Sequence, residues 1–476
     1  MKPRLSLVAA PLTLSDRYGA FAQAANTEPS FGLVCLAAVA RETGAEVLIV
    51  EAAAENLGVN RTLARLLPFH PHVVGISATT AGICAAAELA AQVKAQCPQT
   101  YVLVGGCHVT ALPEESLREF PAFDLIAIGE GEATLRELLQ RLAQDGRLPL
   151  DVAGTAARKD GLEFRNPPRP IIANLDELPL PAWSLLPGFP KAFRPAPMRI
   201  RRWPCASIVL SRGCPNQCSF CDRSVFGSQC RAYSPEYAVR LIRDLRDNYG
   251  VQEILLEDDT FTLSRQRVSE FCDRLLSERL NITWSCLARA DRVTPELLHS
   301  MRRAGCWHIS YGIESGDPEL LKAMHKNLDL TQIEAALRWS KEAGLRTKGF
   351  FMTGFPGETR ESLATTATFA LSLPLDEVSV MQLTPFPGSE LYQQADVLGT
   401  MERDWRRMNT LNTVFVPNGL TREDLDAARD KLMRRFYLRP CVLLDHLRAL
   451  FRRPRLLGPM LRAVLALLRG TKRGVT

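Results

Sequence analysis

The chain has 476 residues, of which 46% are hydrophobic and 23% are charged, the composition of an ordinary globular protein. This length suffices for about two or three domains. No uninterrupted apolar run reaches the roughly 18 residues of a membrane span, and no secretory signal follows Met1. We therefore expect a cytoplasmic protein whose 13 cysteines stay reduced.

The net charge of +6 is concentrated at the C-terminus. Residues 441–476 contain eight basic residues and a single acid, Asp445, so the rest of the chain sums to −1. A body this close to neutral has no continuous basic groove, and we expect no nucleic-acid partner.

The first third of the chain alternates short apolar runs with helical patterns, such as Leu33–Thr43, Ala85–Gln96 and Ala133–Gln144. This alternation predicts an α/β domain with a doubly wound parallel sheet, which binds ligands beyond the carboxyl ends of its strands. The predicted strands are Ser6–Ala10, Glu46–Val50, Val73–Ala78, Tyr101–Gly105 and Leu125–Ile128.

Two glycine-rich turns lie at such strand ends. One is Gly105-Gly106, and the other contains Gly129 and Gly131 within a Gly-Glu-Gly-Glu run. Because glycine lets the backbone approach a ligand closely, these four glycines are candidate cofactor-binding residues. On glycine alone, tight turns between strand and helix are an equally good interpretation.

Residues 151–204 differ in character from the segments on either side. Gly154–Pro170 predicts a small hairpin, and six prolines follow between Pro179 and Pro197. This composition predicts a proline-stiffened linker with irregular backbone.

Strand–helix alternation resumes over residues 205–415 and predicts six βα units. Helices begin at 234–236 and 294–296, where Ser or Thr precedes Pro-Glu, and end near Gly250 and Gly305. Six units form a partial (β/α)6 barrel, whose chemistry lies at the C-terminal ends of the strands. The predicted strands are Ala206–Leu210, Glu253–Leu256, Thr283–Ala288, His308–Ile313, Arg346–Met352 and Glu377–Leu383.

The loop after the first barrel strand contains Cys214, Cys218 and Cys221 at C-x3-C-x2-C spacing, with Phe220 before the third cysteine. Cysteine thiolates normally hold all four irons of a [4Fe–4S] cluster, so three leave one iron open to bind a small molecule. The alternative is a zinc site, which requires a fourth ligand, and Cys230 is the nearby candidate.

Residues 416–476 are mostly helical in pattern. Val442–Leu450 and Leu456–Leu468 interleave apolar residues with arginines, which predicts peripheral contact with the inner membrane and hints at a lipid-like substrate. The alternative is a C-terminal helix that packs its apolar stripe on the barrel and exposes its arginines.

Motifs beyond the cysteines end the second, fourth and fifth barrel strands, at residues 256–261, 312–316 and 349–358. With Pro113-Glu114-Glu115 and the Gly-Glu-Gly-Glu run, they resemble the radical S-adenosylmethionine (SAM) enzymes that carry a cobalamin-binding domain. The resemblance covers most of the chain and removes the zinc alternative. It implies a cobalamin-binding domain over 1–150, a linker over 151–204, a radical SAM barrel over 205–415 and a basic helical region over 416–476.

The resemblance also implies cofactor contacts. Cys214, Cys218 and Cys221 would bind the cluster, and the backbone at Phe220 would contact the SAM adenine. Gly354, with the segment that follows it, would line the adenine side.

Three side chains have both an implied role and a structural alternative. Glu314 would accept hydrogen bonds from the ribose hydroxyls or would cap the next helix. Arg289 would pair with the SAM carboxylate or with Asp258 or Asp291. Glu358 would line the adenine side or would supply a helix N-terminal charge.

The chemistry follows from the same resemblance. A reduced cluster would split SAM into methionine and a 5′-deoxyadenosyl radical, which abstracts hydrogen from an unactivated carbon. Either cobalamin then donates a methyl group, or the substrate radical undergoes cyclisation, oxygenation or ring rearrangement, as in the anaerobic magnesium-protoporphyrin ester cyclase. A non-catalytic scaffold conflicts with the complete cysteine triad. The expected partners are a small-molecule substrate, lipid-like or a tetrapyrrole, and an electron donor such as flavodoxin or ferredoxin.

One motif of many cobalamin proteins is missing. Asp-x-His-x-x-Gly supplies the histidine below cobalt, but Glu51–Gly58 occupies its place without a histidine. His70, His72 and His108 are interpreted as surface histidines rather than ligands. The fold, and not an axial ligand, therefore carries the prediction of cobalamin.

Overall fold

The computed structural model describes residues 1–18, 22 and 27–452. A seven-stranded sheet forms the N-terminal part of this region, and a six-stranded sheet forms the part that follows. The predicted α/β class, with a doubly wound sheet before a partial barrel, is confirmed.

The N-terminal sheet has the strand order β2-β1-β3-β4-β5-β6-β7, and its first five strands are parallel. The order reverses between β1 and β3, which is the point where sheets of this kind open a ligand crevice. The strands are β1 (Arg4–Ala9), β2 (Glu46–Glu51), β3 (Val73–Ser77), β4 (Tyr101–Gly105), β5 (Leu125–Ala127), β6 (Thr155–Lys159) and β7 (Leu162–Arg165).

Helices cover both faces of this sheet, since its parallel strands are apolar on both sides. The three predicted helices are present, and shorter helices that the sequence analysis did not predict also occur. The helices are α1 (Leu14–Tyr18), α2 (Phe31–Glu42), α3 (Val59–Leu66), α4 (Ile83–Gln96), α5 (Cys107–Ala111), α6 (Pro113–Glu119) and α7 (Gly131–Asp145).

The hairpin expected in the linker is present, but it extends the first sheet. Strand β6 pairs antiparallel with β5, and β7 pairs antiparallel with β6. Asp160 and Gly161, with φ of 52° and 81°, form the tight turn that a two-residue hairpin requires.

The proline-rich segment after the hairpin is packed into the core. Trp183 is fully buried, stacks on Phe189 with ring centroids 4.7 Å apart, and contacts Phe31 of α2. Phe193 is also buried. The irregular backbone was predicted, whereas its burial between the two sheets was not.

The second sheet has the order β15-β14-β13-β12-β11-β8, and all neighbouring strands are parallel. The six predicted strands are therefore present in a single curved layer. The strands of this part are β8 (Cys205–Ile208), β9 (Ser211–Arg212), β10 (Arg231–Ala232), β11 (Glu253–Leu256), β12 (Thr283–Ala288), β13 (Cys306–Glu314), β14 (Arg346–Thr353) and β15 (Glu377–Gln382).

The barrel helices begin as their capping residues predict. Ser234 and Thr294 accept hydrogen bonds from the N–H groups of Tyr237 and Leu297, and Gly250 ends its helix with φ of 69°. The helices are α8 (Pro235–Tyr249), α9 (Arg265–Ser277), α10 (Pro295–Arg303), α11 (Pro318–Ala323), α12 (Leu330–Glu342), α13 (Arg360–Ser372) and α14 (Glu390–Leu398).

The C-terminal region packs on the end of the barrel. A short antiparallel pair, β16 (Gly399–Met401) and β17 (Phe415–Pro417), precedes α15 (Arg422–Tyr437) and α16 (Pro440–Arg452). The predicted helix Leu456–Leu468 lies outside the described residues. No helix within the described ranges is long and apolar enough to cross a membrane.

A buried ion network joins the start of α7 to the two-stranded pair β9–β10. Glu130 and Glu132, at the start of α7, pair with Arg212 of β9 at 3.0 and 2.5 Å. Arg231 of β10 completes the network at 2.9 Å from Glu130. All four side chains are at most 8% exposed, so each charge depends on its partners rather than on water.

Replacing Glu130 with Ala should strongly destabilise the fold. The change leaves Arg231 buried without its carboxylate, and loss of one partner of such a pair costs about 3–5 kcal/mol. Urea denaturation followed by tryptophan fluorescence measures the free energy of unfolding. Glu114→Ala is the control, because its pair with Arg165 is partly exposed and contributes about 0–1 kcal/mol. An equal loss of unfolding free energy in both variants would contradict the stabilising role of the buried ion network.

Candidate cofactor site

The cysteine loop, residues 213–230, is closed at its base by β9 and β10, which pair antiparallel. Gly213 has φ of 82°, and a Cβ there would lie 2.3 Å from the carbonyl oxygen of Gln229, so only glycine fits. Asp258, at the end of β11, accepts hydrogen bonds from the Ser211 hydroxyl and from the Leu210 N–H. With this contact in place, β8 ends at Ile208, two residues before Leu210, where the sequence analysis predicted its end.

The loop is held against the barrel by backbone contacts around its cysteines. The N–H of Ser219 donates to the carbonyl of Met324 at 3.1 Å, and the N–H of Leu391 donates to Ser219 at 3.1 Å. Cys218 is buried, and Cys221 lies at the exposed edge of the loop. The loop is therefore anchored on the residues after α11 and at the start of α14.

Electrostatics favour a thiolate at Cys218. A hydrogen bond from Cys221, together with the charges of Lys326 and Arg289, lowers the pKa of Cys218 to about 6 against the opposing effect of burial. Thiolates are the form that binds iron, so this donor set fits a [4Fe–4S] cluster.

The thiols do not form a single-ion site. Within the described ranges, no group of three or more His, Cys, Asp or Glu side chains could hold one metal ion. A cluster does not require such convergence, because each thiolate binds a different iron.

A carboxylate and an ammonium face each other beside the cysteine loop. Glu314 ends β13 with φ of 68° and accepts a hydrogen bond from Lys326 Nζ at 2.8 Å. A Cβ at Gly312 would lie 2.7 Å from Glu314 Oε1 and 2.9 Å from Lys326 Nζ. The absence of a side chain at Gly312 therefore leaves room for this pair. Glu314 does not cap the next helix, because Asp317 is the N-cap of α11.

Arg289 lies beside the same pair but already has partners. Its Nε donates to Asp291 at 3.0 Å, and its terminal nitrogen donates to the carbonyl of Lys326 at 2.8 Å. This is one of the ion pairs that the sequence analysis gave as the alternative to SAM binding. A contact between Arg289 and SAM remains a prediction.

Glu358 folds back over the turn that follows β14. Its Oε2 accepts a hydrogen bond from the N–H of Gly354 at 2.5 Å, and burial raises its pKa to about 7. Its Oε1 is buried and has no hydrogen-bond partner among the described residues. Thr359, rather than Glu358, caps α13. The free acceptor fits a ligand N–H, and a contact between Glu358 and the SAM adenine remains a prediction.

Lys326 was missed in the sequence analysis. Its side chain is 8% exposed, and its Nζ lies 5.9 Å from the ring centroid of Phe220 in the cysteine loop. No spacing rule connects it with Glu314, 12 residues earlier. Only the fold of the segment after α11 brings the two together.

A cavity of about 760 Å³ opens at the carboxyl edge of the first sheet. The segments that follow β1, β2 and β3 line it, together with residues between Asp404 and Asn412. It lies where the strand order reverses, so the first domain has room for a large ligand at the expected edge. This observation fits cobalamin.

The four glycines of the predicted turns differ in how closely other atoms approach them. A Cβ at Gly106 would lie 2.4 Å from the carbonyl oxygen of Ala78, so close packing of the backbone requires that glycine. At Gly131 the nearest neighbour would be Leu36, at 3.0 Å. A Cβ at Gly105 or Gly129 would make only ordinary contacts, at 3.8 and 3.6 Å, and Gly129 has a φ of 76°, which favours glycine.

His108 is not a surface histidine. It is 1% exposed, its Nδ1 lies 3.3 Å from Thr80 Oγ1, and its ring packs edge-on against Trp405 at 4.8 Å. Burial lowers its pKa to about 4, which keeps the ring neutral. His70 is exposed as expected, and His72 accepts a hydrogen bond from the N–H of Arg4.

Comparison with known families agrees with this arrangement. Residues 208–370 match the model of the radical SAM superfamily, and residues 19–139 match that of the B12 binding domain. The chain is 35% identical to the uncharacterized methyltransferase PH0819 of Pyrococcus horikoshii, over 88% of this chain and 90% of that protein. It is 29% identical to the anaerobic magnesium-protoporphyrin IX monomethyl ester cyclase of Rubrivivax gelatinosus, over 84% of this chain and 71% of the cyclase.

Solved structures share the fold. The methyltransferase TsrM of Kitasatospora setae, with cobalamin and a [4Fe–4S] cluster bound, aligns with a TM-score of 0.71 at 16% identity, over 93% of this chain and 90% of TsrM. The cobalamin-dependent radical enzyme OxsB aligns with a TM-score of 0.66 at 22% identity, over 83% of this chain and 55% of OxsB.

These similarities make the chain an enzyme whose cofactors are a [4Fe–4S] cluster, SAM and cobalamin. The cysteine loop, the Glu314–Lys326 pair and the strand-end cavity are the features of the structure at which binding of these cofactors is predicted. The chain belongs to the radical SAM superfamily, with a B12 binding domain before its catalytic domain.

Proposed function

We propose that this enzyme is a cobalamin-dependent methyltransferase that methylates an unactivated carbon of a small molecule. The observation that carries the proposal is the position of the cysteine loop, which contacts the barrel, while Arg212 at its base pairs with Glu130 in the strand-end turn of the first domain. The relative with 35% identity, which is named a methyltransferase, supports methylation.

Cys214, Cys218 and Cys221 would hold the cluster through three of its irons. Lys326 and Arg289 would offset the negative charge of the thiolates, because both cations act on Cys218. When bound, the cluster would supply an electron, and SAM would supply a radical and a methyl group. Cobalamin would carry the methyl group.

Glu314 would accept hydrogen bonds from the SAM ribose, with Lys326 holding its carboxylate in place. Because Gly312 has no side chain, Glu314 and Lys326 can meet above β13, where Glu314 would make that contact. Gly354 and the unpaired oxygen of Glu358 would receive the adenine, which Phe220 contacts through its backbone. These residues would orient SAM towards the open iron.

The loops around the site would also exclude water. A Cβ at Gly388, after β15, would lie 2.2 Å from Asp222 of the cysteine loop and 3.2 Å from Ala111 of the first domain. A Cβ at Gly129 would lie 3.6 Å from the carbonyl oxygen of Val225. Three separate segments therefore meet at one side of the site, where a radical must be kept from solvent.

A second candidate is radical cyclisation, oxygenation or rearrangement without methyl transfer. The 29% identity to a magnesium-protoporphyrin ester cyclase favours it, because the match extends over 84% of this chain. Both candidates use the same SAM cleavage, and they differ in the fate of the SAM methyl group.

We further propose a cytoplasmic enzyme that takes electrons from a flavodoxin or ferredoxin and touches a membrane with its C-terminal tail. In α16, Leu443 and Leu444 are 42% and 48% exposed. Residues 453–476 carry six basic residues and no acid. Exposed leucines beside a basic segment suit an anionic lipid surface and a lipid-like substrate.

The products that the enzyme forms from SAM test the proposed function. The reconstituted, reduced enzyme, incubated with SAM and an extract of the cells that express it, should form both 5′-deoxyadenosine and S-adenosylhomocysteine, detected by mass spectrometry. Cys218→Ala should form neither product and lose iron, whereas Cys97→Ala should behave as wild type. Deoxyadenosine with an altered product but without S-adenosylhomocysteine would favour cyclisation. Neither product from an enzyme with an intact cluster would exclude both candidates.

Gly312→Ala should weaken SAM binding without unfolding the protein. Its Cβ would displace the ends of two flexible side chains, Glu314 and Lys326, and not the backbone. Loss of one charged hydrogen bond to SAM should raise the Kd at least about tenfold in equilibrium dialysis. Gly32→Ala is the control, because a Cβ there meets nothing within 4 Å. An unchanged Kd would remove Glu314 and Lys326 from the proposed SAM site.

Removing residues 453–476 should reduce binding to vesicles with anionic lipid in a sedimentation assay. Each basic residue near such a surface contributes about 1 kcal/mol. Leu443→Glu with Leu444→Glu should weaken the same binding, and neutral vesicles serve as the control. Unchanged binding in both variants would refute the membrane contact.

A further inference from the structure

The cavity at the carboxyl edge of the first sheet has one wall that does not come from the first domain. Residues between 404 and 412 supply this wall, whereas the segments after β1, β2 and β3 supply the others. The match to the B12 binding domain ends at residue 139, and the match to the radical SAM superfamily ends at residue 370. Residues 404–412, the wall segment, therefore lie outside both matches although they line the cavity that fits cobalamin.

The wall segment is anchored on the barrel. The N–H of Gln382, at the end of β15, donates to the carbonyl of Thr410 at 2.9 Å. Thr384 Oγ1 donates to the carbonyl of Asn409 at 3.1 Å, and Met408 is fully buried. These contacts make the position of the wall segment depend on the barrel rather than on the first sheet.

Trp405 connects the wall segment with the first domain. Its ring packs edge-on against the buried ring of His108, with centroids 4.8 Å apart. Its Nε1 donates to Glu119 of α6 at 3.0 Å. Asp404 and Arg406, on either side of Trp405, both line the cavity. The two contacts of Trp405 therefore hold these lining residues against the first domain.

The lining carries amide groups on two opposite sides. Asn60 lies on the first domain, and its Oδ1 accepts a hydrogen bond from Gln92 at 2.9 Å. Asn412 lies on the wall segment, and its Nδ2 donates to the carbonyl of Arg407 at 3.1 Å. Each amide therefore keeps a donor or an acceptor that has no partner in the described part of the chain. The corrin ring of cobalamin carries primary amides at its edge, which both donate and accept, so this lining fits cobalamin.

We propose that the wall segment closes the cobalamin site and that Trp405 is the positioning residue that determines how tightly the cofactor is retained. Cobalamin is held between the first domain and the wall segment by amide hydrogen bonds on both sides. Because the wall segment is anchored at the end of β15, the cofactor is fixed relative to the barrel as well as to the first domain. The inference rests on the placement of cobalamin in this cavity, and it holds whether methyl transfer or cyclisation follows.

Thiol labelling tests the placement of cobalamin. Cys84 of α4 lines the cavity, and Cys97 follows the end of the same helix outside the lining. The full-length enzyme with its cluster is treated with iodoacetamide in the dark, with and without methylcobalamin at about ten times its Kd, and mass spectrometry quantifies the labelled peptides. Bound cofactor should slow the alkylation of Cys84 about tenfold, because about one site in ten is then empty, and should leave Cys97 unchanged.

Substitutions at the contact with the first domain test the role of Trp405. Trp405→Ala removes an aromatic contact and a hydrogen bond, and should raise the Kd for methylcobalamin in equilibrium dialysis at least about fivefold. Trp405→Phe keeps a ring against His108 and should bind more tightly than Trp405→Ala. Glu119→Ala, at the exposed end of α6, removes only the hydrogen bond and should raise the Kd about threefold. Trp203→Ala is the matched control, because Trp203 is 37% exposed and lies outside the lining.

Three outcomes would overturn the inference. They are an unchanged Kd in both Trp405→Ala and Glu119→Ala, an equal rise in Kd for Trp203→Ala, and alkylation of Cys84 at the same rate with and without bound cofactor. Trp405→Ala should keep the iron content of the wild type, because the wall segment lies outside the cysteine loop. Binding is measured without turnover, so an enzyme that binds methylcobalamin as expected but forms no product from SAM would refute the proposed function alone.

Discussion

The buried network of Glu130, Glu132, Arg212 and Arg231 is the constraint on which the cofactor site depends. Two carboxylates from the first domain and two guanidiniums from the base of the cysteine loop are buried together, away from water. Such charges are tolerated in a protein interior only when every partner is present, so the loop base and the first domain must dock as a unit. Hydrogen bonds from Arg231, the N–H of Ile172 and Arg212 keep the pKa of Glu130 below its ordinary value, although burial opposes them. The cysteine loop is therefore held in place by contacts with the first domain as well as by contacts with the barrel.

The same principle applies at smaller scale to Glu314 and Arg289, the side chains that are proposed to contact SAM. Glu314 already has Lys326, and Arg289 already has Asp291, so a ligand has to share or exchange these contacts. Prior pairing limits the motion of each side chain, and the absence of a side chain at Gly312 leaves room for the Glu314–Lys326 pair. A site of paired charges is therefore ordered before its ligand arrives, which lowers the entropic cost of binding.

Patterns that depend on neighbouring residues were predictable from the sequence, and contacts between distant residues were not. Strand–helix alternation and capping residues such as Ser234 are local, and so is the cysteine spacing, because one short loop carries it. The Gly-Glu-Gly-Glu run was interpreted as a cofactor turn, but Glu130 in that run forms an ion pair with a residue 82 positions later. Lys326 was missed for the same reason. His108 was predicted to lie on the surface, because nothing nearby in the sequence indicates that Trp405 covers it. The packing of the proline-rich segment likewise depends on both sheets being present.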